Sequence, residues 1–85
     1  MVNDASAIKS IGHPIRLQIL TTIALRECSV KYIGECLGLD QCVVSHHLSV
    51  LKGRGIVAGR RRGVAMIYTI AHPLTQRIVA VLTQN

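Results

Sequence analysis

Apolar residues recur along this chain at two different periods, and the change falls just after Gly55. Before it the spacing is helical. Ala5, Ile8 and Ile11 mark a short first helix over 1–11. Gly12, His13 and Pro14 interrupt it, and Pro14 suits the first position of a new helix, where an amide needs no partner. The second helix, 14–25, carries Ile15, Ile19, Leu20 and Ile23 around most of its circumference, which predicts the central helix of the core. The polar stretch 26–29 follows, and Ser29 can cap what comes next. Val30, Ile33 and Leu37 then form one face of a short helix that Gly38 ends.

Asp40 is a good N-cap for a further helix over 41–52, and its charge suits the positive end of the helix dipole. Val44, Leu48 and Leu51 line one side of that helix. A rotation of about 100° per residue puts Cys42, His46 and Ser49 on the other. Gly53 and Gly55 are expected to stop it. Beyond them the pattern alternates and is rich in Val, Ile, Tyr and Thr, which predicts two strands within 56–70. Arg60, Arg61, Arg62 and Gly63 are expected at the tip between the strands. His72 and Pro73 break the second strand, and Leu74, Ile78, Val81 and Leu82 mark a last helix over 74–84. The predicted fold is mainly α with a small β-hairpin, in the order α-α-α-α-β-β-α, as one domain over 1–85.

Composition changes the picture in three ways. Hydrophobic residues make up 49% of only 85, nearly all aliphatic, with Tyr32 and Tyr68 the aromatic exceptions. A chain this short buries only about 60% of its unfolded surface, so part of that aliphatic surface is expected to face a second subunit. Ten Lys and Arg against four Asp and Glu give a net charge of +6, which favours a polyanionic partner. Three cysteines, an odd number, argue against a secreted disulfide framework, and the N-terminus lacks the layout of a targeting segment. No uncharged apolar run approaches the roughly 18 residues a membrane span needs. The expectation is a cytoplasmic protein with reduced thiols and no membrane partner.

Two short helices joined by Gly38, Leu39 and Asp40, the second polar on one side, make a helix-turn-helix over 30–52. In that motif the second helix enters the major groove and the first crosses the DNA backbone. The base-reading face would then offer Gln41, Cys42, Val43, Ser45, His46 and Ser49. Gln can bond adenine through two hydrogen bonds, Ser suits several partners, and Val43 can meet a thymine methyl. The arginine hairpin that follows reads as a wing over 56–70. Its arginines can grip phosphates or enter a narrow minor groove. His47, one position from the apolar side, is expected to pack within the domain, while His13 starts a helix and His72 ends a strand.

The ordered set HPIRLQIL, SVKYIGECLGLDQCVVSHHLSVLKGRGIV and RRRGVAMIYTI, spanning 12–72, resembles the ArsR/SmtB family of dimeric winged-helix repressors. Ser45, His47, Leu48 and Leu51 before GRGIV are its most specific part. The resemblance implies a homodimer that binds a double-stranded operator, represses transcription, and is released by a metal ion, metalloid or reactive species. It also implies that the first and last helices, 1–11 and 74–84, form the dimer interface. The metal sites of the family do not carry over. Ser29 and Lys31 stand where one type has a cysteine pair, and the last helix has no metal ligand.

Cys28, Cys36 and Cys42 are therefore the candidates for thiol sensing or for binding a soft metal. Charge or bulk added at Cys42 would meet the duplex directly. The plainer alternative is a small DNA-facing Cys42, with Cys28 and Cys36 as partly buried hydrophobes. Enzymatic readings find little support: Asp4, Glu27, Glu35 and Asp40 are scattered, there is no glycine-rich phosphate loop, and no cofactor motif is present. Two further readings stay open: a non-specific or architectural nucleic-acid binder, and an interaction module that has lost DNA binding.

Overall fold

The computed structural model describes residues 4–84. Its elements run α1 (Asp4–Ile11), α2 (Pro14–Leu25), β1 (Cys28–Ser29), α3 (Val30–Leu37), α4 (Gln41–Gly53), β2 (Val57–Arg62), β3 (Ala65–Ile70) and α5 (Pro73–Thr83). Residues 1–3 of the predicted first helix lie outside the described residues. The predicted order holds with one addition: β1, two residues long, pairs antiparallel with β3, so the sheet order is β1-β3-β2. Two residues carry no readable alternation, and the polar stretch around them had suggested a turn.

The helices begin where side chains can take up free amides. His13 accepts from the Ile15 N–H at the start of α2, Ser29 from Tyr32 at α3, Asp40 from Cys42 at α4 and His72 from Thr75 at α5. Such caps are worth roughly 0.5–2 kcal/mol each for the oxygen-bearing residues. His72 is thus a helix cap as well as the residue after the last strand.

Helix α2 is the hub. It packs against each of the other helices and against β3, and its Ile19, Leu20 and Ile23 are buried. Ile33 from α3, Val44, Leu48 and Leu51 from α4, Ile56 and Val79 complete a core of fully buried aliphatic side chains. Each contributes on the order of 1.5–3 kcal/mol relative to exposure. Thr75, not one of the predicted apolar positions, is the residue of α5 buried beside Val79. Val81 and Leu82 of that helix instead point outward. No helix among the described residues is long and apolar enough to cross a membrane.

Candidate nucleic-acid interface

The turn between α3 and α4 is fixed by two glycines for different reasons. Gly38 has φ of 66°, a left-handed conformation that a side chain disfavours. Gly34 has an ordinary conformation but no room: a Cβ there would lie 2.8 Å from the Leu39 carbonyl oxygen. That closeness lets the Leu39 N–H donate to the Gly34 carbonyl at 2.9 Å and folds the chain back on α3. Asp40 then starts α4, accepting from the Cys42 N–H at 2.9 Å.

Helix α4 divides as its spacing predicts. Val44, Leu48 and Leu51 are buried against the core, while Gln41, Cys42, Val43, Ser45, His46 and Ser49 are all exposed on the far side. The helix does not stop at Gly53. It continues through that residue and closes at Gly55, whose φ is 73°. The Ile56 N–H reaches the Leu51 carbonyl and the Gly55 N–H reaches that of Lys52, a Schellman closure in which buried Ile56 packs at the helix end.

His47 is the polar member of the buried side. It is 8% exposed, and the Arg16 Nε–H donates to its Nδ1 at 3.3 Å, tying α4 to α2. The His13 ring lies 5.0 Å away, centroid to centroid, and His46 at 5.5 Å. Burial, and then the electrostatic effect of His13, Arg16 and His46, pushes His47 below its ordinary value. The ring is therefore held neutral, with Nδ1 free to accept from Arg16. His46 faces outward, as expected for the neighbour about 100° round the helix.

The hairpin corrects one expectation. Arg60, Arg61 and Arg62 are not its tip. All three lie within β2, paired with Ile67, Met66 and Ala65 of β3. The tip is the two-residue loop Gly63-Val64, with Gly63 at φ of 63° in the first position, the pattern of a type II′ turn. Val64 stands fully exposed at its end. Because side chains alternate along a strand, Arg60 and Arg62 share one face and Arg61 projects from the other. Arg60 is also engaged: its Nη2 donates to the Glu27 carboxylate at 3.2 Å, an exposed ion pair to the α2–β1 corner. Nothing in the sequence signals this pair, whose members lie 33 residues apart.

The cysteines separate. Cys28 is buried, whereas Cys36 and Cys42 are exposed, so Cys36 is not the partly buried hydrophobe of the plainer alternative. All three are free thiols. Burial, and then the nearby Cys36, push the Cys28 thiol up, against a smaller opposing pull from Arg26. Tyr32 is raised by a side-chain hydrogen bond with Cys36, one turn along α3. Cys36 thus lies close enough to Cys28 to act on it electrostatically. Among the described residues, no group of three or more His, Cys, Asp and Glu could hold a metal ion, so the three cysteines do not form a metal cluster.

A helix pair at this turn, its second member polar on the exposed side, followed by a two-stranded wing, defines a winged helix-turn-helix protein. The family model for bacterial regulatory proteins of the ArsR family matches residues 13–58, and the chain belongs to that family of DNA-binding transcriptional regulators. It is 40% identical to an uncharacterized HTH-type transcriptional regulator of Mycobacterium tuberculosis, over 91% of this chain and 68% of the relative. The transcriptional repressor PagR of Bacillus anthracis is 31% identical in its crystal structure, with a TM-score of 0.85 over 94% of this chain and 92% of that one. A homodimeric winged helix-turn-helix DNA-binding domain from Mycobacterium bovis, solved by NMR, is 33% identical, with a TM-score of 0.82 over 92% of this chain and 72% of that one.

Proposed function

We propose that the chain is a homodimeric repressor that binds an inverted-repeat operator through α4 and the wing. One observation carries the reading. The polar side of α4 is exposed along its whole length, while its other side is locked into the core by Val44, Leu48, Leu51 and the Arg16–His47 bond. The helix can therefore enter a major groove without rearrangement. In this reading Gln41, Ser45 and His46 contact base edges, Val43 meets a thymine methyl, and Cys42 and Ser49 line the groove. Arg61 and Arg62 supply affinity with little sequence content, and Arg60, paired with Glu27, stands on the same strand.

Dimerisation is supported by apolar side chains the fold leaves uncovered. Ile8 on α1 is 54% exposed, and Val81 and Leu82 on α5 are 66% and 51% exposed. These two helices pack against each other. The Mycobacterium bovis domain is described as homodimeric, and the Bacillus anthracis relative as a repressor. For release we favour a thiol-reactive signal over a metal, since Cys42 is exposed on the groove-facing side. Bulk or charge added to its sulfur would collide with the duplex.

Binding-site selection with Ser45→Ala and His46→Ala variants tests the base-reading assignment. Each is expected to relax preference at one or two positions, by about 1–3 kcal/mol where a two-hydrogen-bond contact is lost. An unchanged preference in both would refute it. Equal affinity of the parent for scrambled DNA would instead favour a non-specific binder.

A further inference from the structure

We propose that the cleft between the α2–β1 corner, the start of α3 and the outer end of the wing is a phosphate clamp, holding the DNA backbone beside the half-site read by α4. The proposal rests on DNA binding by this chain, and it adds Arg26, Tyr32 and Ser29 to a surface so far limited to α4 and the wing. The cleft has a volume of about 310 Å³. That space admits a phosphodiester group.

The lining suits an anion. Arg26 and Arg62 stand at it with Ser29 and Tyr32, while Ile67 and buried Cys28 give it an apolar wall. Glu27 is the one carboxylate there, and its charge is already answered by Arg60 at 3.2 Å. Among the described residues neither Arg26 nor Arg62 has a carboxylate partner. The surplus charge of the cleft is therefore that of two guanidinium groups. Burial pushes the Cys28 thiol up, so that it stays neutral and adds no repulsion.

Arg26 is also held in place. Its Cζ lies 5.2 Å from the centre of the Tyr32 ring, within cation–π range. A guanidinium carries five N–H donors, so those not turned to Tyr32 can make the paired hydrogen bonds that phosphate oxygens accept. Position selects DNA as the source of that phosphate. Ser29 caps α3, the helix that crosses the backbone in this motif, and Arg62 is the last strand residue before the wing turn. The cleft thus bridges the two elements that flank the recognition helix.

The test is DNA affinity as a function of salt for the full chain and for Arg26→Ala and Arg62→Gln. Each phosphate contact contributes about 0.9 to the slope of log affinity against log salt. Each variant is expected to lower the slope by that amount, so that its loss of affinity from 50 to 200 mM salt is about 3.5-fold smaller than the parent's. The ratio of operator to scrambled-DNA affinity should stay unchanged, because phosphate contacts carry no base information. Arg62→Gln, on an exposed strand position, serves if loss of the Tyr32 contact unfolds Arg26→Ala. Unchanged slopes in folded variants would overturn the clamp. A parallel titration with inorganic phosphate separates the other source. Saturable phosphate binding that the variants abolish, with DNA slopes intact, would make this a small-anion site and overturn the DNA assignment. A parent that binds all DNA equally, yet loses slope in the variants, would sink the operator reading and leave the clamp standing.

Discussion

At the scale of single residues, His47 shows how one side chain joins stability to the site. It is buried, accepts from Arg16, and is pushed below the ordinary value of 6.5 by burial and by the electrostatic effect of His13, Arg16 and His46. The folded state therefore prefers the neutral ring. Its contribution to stability is complete above the unfolded value near 6.5 and is lost as pH falls toward the lower folded value. Acidification from about pH 7.5 to 5 should then destabilise the parent more than His47→Asn, which keeps an acceptor but cannot titrate. Chemical denaturation at a series of pH values checks this, and equal pH slopes would remove His47 from the account. Much at this scale was readable from the sequence. Rotation by about 100° per residue separates outward His46 from inward His47, and residue type picks out Ser29 and Asp40 as caps. The Arg60–Glu27 pair and the stacking of Arg26 on Tyr32 were not readable, because tertiary packing and not spacing brings their partners together.

At the scale of elements, the helix-turn-helix depends on a backbone approach that a single methyl group prevents. A Cβ on Gly34 would meet the Leu39 carbonyl oxygen at 2.8 Å, and that atom belongs to the turn itself. Gly34→Ala should destabilise the domain by about 1–3 kcal/mol, as overpacking does. It should also weaken operator binding beyond that loss, because the displaced turn tilts α4. Thermal melts and binding measured below the melting range check both, and a variant as stable as the parent would contradict the geometry. The helices were legible because caps and apolar spacing agree. The hairpin was legible in kind but not in detail. A run of three arginines looks like a turn, yet positive φ at Gly63 sets a two-residue loop and leaves the arginines paired in β2. Similarly, either Gly53 or Gly55 could end α4, and the buried contact of Ile56 with the helix end decides for Gly55.

At the scale of the whole molecule, an aliphatic chain of 85 residues leaves Ile8, Val81 and Leu82 outside its core. A charge introduced into that face should separate the protomers without disturbing the core, since none of the three is buried. Val81→Glu is expected to sediment as a monomer, keep its helical content and lose operator affinity; a parent-like dimer would contradict the assigned interface. Excess aliphatic content already hinted at a partner, but only the fold shows which side chains remain uncovered. The central claim is that two copies of α4 read one operator together. Its most direct test is competition binding of the parent to its own upstream DNA, compared with a version in which one half-site is moved by half a helical turn. The account predicts affinity that falls steeply on the half-turn shift and recovers when the spacing is restored to about one turn. Affinity indifferent to half-site spacing would contradict it.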